Sequence, residues 1–196
     1  MRTIEQKIYS FTELSEAVQK KVIEDNYNIN VHHEWYEYIY EDFISNNKYF
    51  EVDNIYFSGF WSQGDGAMFE YSLIKQELID EFIDSLELSP MRKQWLENNI
   101  CISGKGKHSG HYYHENCCSH SIYWEVDNGD LDWTSNFYQW LKSFAEDFED
   151  FVVDRYRDLA RDLYRSLEKE HDYLTSEDCI RESLVDYEFY EDGEIY

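Results

Sequence analysis

Apolar positions recur along this chain with two different periods, and the period decides which element each segment forms. From Thr3 to Tyr9, Ile4, Gln6 and Ile8 alternate with Glu5, Lys7 and Tyr9, the two-residue repeat of a strand. Ser15 then stands as an N-cap before a helix whose apolar stripe is Val18 and Val22. Trp35, Ile39 and Phe43, spaced by four, predict a second helix over about 33–46, with Tyr36 and Tyr40 alongside. A β-rich arm ending at Phe60 and Trp61, and a return through Ala67-Met68-Phe69, predict a hairpin over 51–71. Gln63-Gly64-Asp65-Gly66 between the arms reads as its turn, because Asp-Gly tolerates the positive φ of tight hairpins.

A third helix follows over about 73–85 with Leu78, Phe82 and Ile83 inward. Ser89-Pro90 supplies an N-cap and a first-turn proline for a short helix through Trp95 and Leu96. Residues 100–102 and 121–126 read as strands, and the Gly-, His- and Cys-rich stretch between them fits a loop or a second hairpin. Asn128-Gly129-Asp130 turns the chain into its longest element, over about 136–174, where Phe137, Leu141, Phe144, Phe148, Val152, Tyr156, Leu163 and Leu167 keep helical spacing. A short helix over 176–185 and a closing hairpin over 187–196, turning at Glu191-Asp192-Gly193, complete the order. Pairs of strands separated by pairs of helices predict an α+β fold: an antiparallel or mixed sheet built from hairpins, packed with helices including one long C-terminal helix. With Pro90 the only proline and no Gly/Ser/Pro-rich linker, residues 1–196 are expected to form a single acidic α+β domain.

Charge narrows the function classes. Forty-two acidic and 17 basic residues give a formal net charge of −25, while an aromatic content of 18% argues for a packed core over disorder. Direct binding to nucleic acid or an anionic membrane needs a basic footprint, so the expected partner is a basic protein surface built to hold phosphates, such as that of a nuclease. In the long helix Asp154, Asp158 and Asp162 stand three residues before Arg157, Arg161 and Arg165, so that face neutralises itself. The uncompensated acids are the candidate partner-binding residues: Glu34, Glu37, Glu41 and Asp42; Glu77, Asp80, Glu81 and Asp84; and Glu146, Asp147, Glu149 and Asp150. The apolar stripe of the long helix also fits a homodimer. No run approaches a membrane span or a signal peptide, and Cys101, Cys117, Cys118 and Cys179 form no disulfide framework, which points to a reducing cytosol.

Two constellations carry candidate chemistry. His111, His114, Cys117 and His120 are ligand types that zinc prefers, but no C-x-x-C knuckle accompanies them and a histidine-bearing strand and turn accounts for them without a metal. The glycine-rich stretch 103–110, with Lys105 and Lys107, has the composition of a phosphate-holding loop but not the Walker spacing. Trp61, Gln63 and Asp65 at the first hairpin tip, together with Tyr113, complete a candidate ligand-binding set. No nucleophile and base stand in a recognisable pattern, so a binding protein without cofactor is expected over an enzyme.

The run Phe57-Ser58-Gly59-Phe60-Trp61-Ser62-Gln63-Gly64-Asp65-Gly66-Ala67 is distinctive, and it is accompanied by Tyr9-Ser10-Phe11, Ser109-Gly110 with Tyr112-Tyr113-His114, and Tyr187-Glu188-Phe189. It resembles a family of small proteins carried by bacteriophages and mobile elements, sometimes labelled antitoxin-like. The resemblance extends over most of the chain and brings no catalytic residues. It implies a protein acting inside a bacterial cell, with inhibition of a host defence system, or an antitoxin-like interaction module, as the function classes.

Overall fold

A computed structural model describes residues 6–126 and 134–196. Along the chain run β1 (Tyr9–Ser10), a 3-10 turn (Phe11–Glu13), α1 (Glu16–Asp25), α2 (Glu37–Asn46), β2 (Phe50–Phe57), β3 (Ala67–Ile74), α3 (Gln76–Ser85), α4 (Pro90–Asn99), β4 (Ile100–His108), β5 (Cys118–Val126), α5 (Asn136–Leu174), α6 (Glu177–Ser183) and β6 (Glu188–Phe189). This is the α+β architecture that the periods predict, with the long helix at its expected place. The chain forms two compact units, one from the segment up to Tyr38 together with Leu167–Tyr196, the other from Ile39–Ser166.

In the first unit β1 pairs antiparallel with β6, Tyr9 opposite Phe189. Phe11, Leu14, Val22, Ile23, Ile180, Leu184 and Phe189 close a small core beneath them. The tail doubles back as a hairpin, Tyr196 N–H donating to the Glu188 carbonyl at 2.8 Å. Ser176 caps α6 by accepting the Cys179 N–H at 3.3 Å, which starts a new helix one residue after Thr175 has closed the last turn of α5.

The second unit is built on a four-stranded antiparallel sheet in the order β2-β3-β4-β5. Its inner face carries Phe50, Phe69, Tyr71, Ile74 and Ile102, which share one core with Leu78 and Phe82 of α3 and Phe144, Phe148, Val152 and Tyr156 of α5. With the buried Leu141, Ala160, Leu163 and Leu167, those α5 positions recur at three and four, and no glycine or proline interrupts the helix, so one stripe stays buried along its length. Burying each of these large side chains contributes about 1.5–3 kcal/mol, which is why the stripe and not local propensity holds so long a helix.

Local pattern and tertiary structure part company at three elements, the first strand, the second helix and the third helix, and one open alternative is decided. The first strand is only Tyr9–Ser10, its predicted start falling partly on residues outside those described, as does the Asn128-Gly129-Asp130 turn. The second helix begins at Glu37 because residues 26–36 fold as turns and bends, closed by bonds such as Val31 N–H to Asn28 O at 3.0 Å. Trp35 therefore stands outside the helix, its ring edge-on to His171. Leu73 and Ile74 extend β3 instead of opening α3, since they pair with Glu51 and Phe50 and the ladder continues through Lys75 N–H to Tyr49 O. The glycine-rich stretch belongs to β4, making 100–126 a second hairpin. Among the described residues no helix is long and apolar enough to cross a membrane.

Candidate functional site

The distinctive motif forms the loop between β2 and β3, and it is not a two-residue Asp-Gly turn. Gly66 still belongs to the ladder, its carbonyl accepting the Ser58 N–H at 3.1 Å. The tip is the turn Ser62–Asp65, closed by Asp65 N–H to Ser62 O at 3.1 Å and by Ser62 N–H to Asp65 Oδ2 at 2.7 Å. Gly64 takes φ +92° at the third position of that turn, a conformation glycine adopts without steric cost. Trp61 has φ +70°, rare for a bulky residue, and presents its indole 66% exposed. Asp65 is thus committed to holding the loop, while Trp61 and Gln63 face outward.

The loop between β4 and β5 packs against this motif at the same end of the sheet. A Cβ on Gly64 would stand 3.0 Å from the Tyr112 ring, and Tyr113 stacks on Tyr56 with centroids 5.3 Å apart. Trp61, Gln63, Asp65 and Tyr113 therefore share one end of the sheet. Lys105 and Lys107 do not join them as a phosphate cradle. Both lie on the outer face of β4, and Lys107 Nζ pairs with Asp53 at 3.2 Å and Glu70 at 3.3 Å. The glycines serve packing: a Cβ on Gly106 would lie 2.2 Å from the buried Tyr71 ring and 2.7 Å from Cys118 Sγ. Gly106→Ala is expected to lower the unfolding free energy by about 1–3 kcal/mol, measured by urea titration, because Tyr71 has no room to retreat.

Of the four candidate zinc ligands the structure brings two together. His114 Nε2 lies 3.4 Å from Cys117 Sγ, but the Asn116 N–H points at His114 Nδ1 at 3.2 Å. A zinc-bound Nε2 would leave a proton on Nδ1, facing that N–H. His111 sits edge-on to Tyr112 in the loop, and His120 points into the core, where its Nδ1 lies 2.9 Å from the Tyr71 hydroxyl. Among the described residues no three His, Cys, Asp or Glu side chains are grouped to hold a metal.

His120, itself half-buried, belongs to a polar cluster around the buried Tyr71 and Tyr156 that periodicity does not reveal. Burial and the nearby Arg157 push its imidazole down to about 4, and burial pushes the Cys118 thiol up to about 11. The Tyr156 hydroxyl, wholly buried on α5, accepts the Phe69 N–H at 3.2 Å and donates to the Phe69 carbonyl at 2.8 Å. Burial raises Tyr71 and Tyr156 well above the ordinary phenol range, so each remains a donor. A neutral imidazole, protonated phenols and a protonated thiol form a structural cluster with no charged nucleophile.

The acidic set divides by what surrounds each carboxylate. Glu81 is half-buried and paired: Arg155 and the Tyr49 hydroxyl both bond it, with Lys48 at 3.8 Å. Asp84 pairs with Lys93 at 2.8 Å and Glu146 with Lys142 at 3.8 Å. The paired row on α5 is as its spacing predicts, with Asp154–Arg157, Asp158–Arg161 and Asp162–Arg165 at 3.0–3.4 Å. Glu34 and Glu37 are exposed in the first unit, Glu41 and Asp42 in the second, the last accepting from Asn46. Glu77, Asp80, Asp147, Glu149 and Asp150 are exposed and have no basic partner among the described residues. They project from α3 and α5, which lie side by side through Phe82 against Phe144, Phe148 and Phe151.

The family described as Domain of unknown function (DUF8835) matches residues 35–177, more than half of the chain. The chain belongs to this family. The family's span takes in α2 to α5, the whole four-stranded sheet, both hairpin loops and the unpaired acids of α3 and α5. No curated protein and no solved structure matches the chain. What sequence reasoning missed is the pair of anchors on α5, the buried Tyr156 and the half-buried Arg155. Their only signal is a tyrosine and an arginine on or beside the apolar stripe of a helix.

Proposed function

We propose that this chain is a non-enzymatic binding protein of phage type, acting in the bacterial cytosol, that inhibits a defence or nucleic-acid-binding protein by occupying its basic surface. The observation that carries this reading is the placement of Glu77, Asp80, Asp147, Glu149 and Asp150 on two adjacent helices of one unit without basic partners. Further along α5, Asp154, Asp158 and Asp162 are each paired with an arginine one turn on, and Glu146 pairs with Lys142, whereas Asp147, Glu149 and Asp150 have no such partner among the described residues. A net charge of −25 adds long-range attraction for cationic surfaces and repulsion from nucleic acid itself.

The test is capture of partners from bacterial lysate by the full chain, followed by assay of the captured protein's activity. A nucleic-acid-handling or defence protein is expected at low salt, inhibited when bound and released at about 1 M salt, where the screening length falls to about 3 Å. Reversing Glu77, Asp80, Asp147 and Asp150 to lysine abolishes capture, whereas reversing the arginine-paired Asp154, Asp158 and Asp162 leaves it. Capture that survives the first set of reversals, or no such partner at low salt, overturns the reading.

A further inference from the structure

We propose that the apolar cleft between α3, α4 and the start of β4 is an anchor pocket that takes one apolar side chain of a cationic protein segment. Ile79, Ile83, Leu96, Ile102 and Phe144 wall a cavity of about 160 Å³ that opens to solvent beside the exposed Glu97 and Cys101. The inference rests on the acidic-surface reading above and gives that surface its point of specificity.

Size selects the occupant. Cofactor and metabolite sites run to about 300–1,000 Å³, whereas a cavity of about 150 Å³ lined by Leu, Ile and Phe holds a single benzene-sized group. The cleft therefore fits one Leu, Met or Phe side chain. Its surroundings select what that side chain is attached to. Glu97 and Gln76 line the cleft, and Gln76 donates to the exposed Asp80 at 2.8 Å, so the chain carrying the anchor meets carboxylates on entry. A second copy of this protein meets the opposite condition, since two chains of charge −25 repel. Anchors of this kind dominate protein interfaces because the pocket is already formed and the buried group is fully desolvated.

Two dye-labelled peptides decide the matter, one with three lysines on each side of a leucine, the other with serine in the leucine's place. In fluorescence anisotropy at low salt the leucine peptide binds the full chain at least about tenfold more tightly, the fold-change expected for burying one such side chain. It also slows alkylation of Cys101 by N-ethylmaleimide, and the serine peptide does not. Ile83→Phe, which fills the cleft, removes the leucine preference and leaves affinity for the serine peptide unchanged. Should that variant not fold, Cys101→Trp at the exposed mouth makes the same test. Equal binding of the two peptides overturns the anchor pocket while the acidic-surface reading stands, and binding of neither overturns both. A leucine preference that persists in the filled variant places the anchor elsewhere and also overturns the proposal. Protection of Cys101 by toluene, without preference between the peptides, marks a small-molecule cavity and overturns it too.

Discussion

Tyr156→Phe lowers the unfolding free energy by about 3 kcal/mol, close to the loss expected for a large cavity, although it removes a single oxygen. The Tyr156 hydroxyl satisfies both backbone groups of Phe69, accepting from the N–H and donating to the carbonyl. Both residues are wholly buried, so no water replaces the lost partner. Each orphaned backbone group costs about 1–3 kcal/mol, and the ring that remains cannot recover either bond. Its packing against Phe50, Phe69, Tyr71 and His120 is unchanged, which confines the effect to hydrogen bonding. Urea unfolding measures it, with Tyr123→Phe as the control, since that hydroxyl sits on a side chain that is 53% exposed. A loss below about 1 kcal/mol would show that Phe69 finds other partners.

Stability is also expected to fall by about 2–3 kcal/mol between pH 6.5 and pH 4 because of His120 alone. In the folded protein the imidazole is held down to about 4 by burial, then by Arg157, against 6.5 in the unfolded chain. A depressed base binds its proton later in the folded state than in the unfolded one. The contribution is therefore complete above pH 6.5 and is lost as pH falls towards 4. Tyr71 on β3, Cys118 on β5 and Arg157 on α5 face or influence the ring, and none offers it a negative charge while the phenol and thiol stay protonated. Protonating Nδ1 would also remove the acceptor of the Tyr71 hydroxyl. Acidification meanwhile relieves repulsion among the 42 carboxylates, so the measurement is a difference: stability against pH for the native chain and for His120→Asn. The native curve falls more steeply through the window, and parallel curves would exclude the effect.

The two experiments bear on function through rigidity. Tyr156 ties α5 to β3, the strand that leads out of the motif loop, and Arg155 one residue earlier ties α5 to α3 through Glu81. The surface carrying Glu77, Asp80 and Asp147 is therefore presented by helices fixed to the sheet, which limits the ordering cost of engaging a partner.

Hydrophobic period and capping residues determined most of the architecture from the sequence alone. Ser15, Ser89 with Pro90, and Ser176 mark helix starts that the structure keeps, and the stripe from Phe137 to Leu167 marks α5. These signals are local, since a cap or a repeat is read over a few residues. The self-neutralised row of α5 was legible for the same reason, its partners being one turn apart. Tertiary structure alone decided what residues distant in the chain do to one another. It turned Glu81 onto Arg155, 74 residues away, and gave the glycines of β4 to the Tyr71 and Ile74 side chains instead of to a phosphate. It sent His120 into the core while leaving His114 beside Cys117. Burial and long-range pairing set the charge state and availability of a side chain, and neither is encoded by its immediate neighbours.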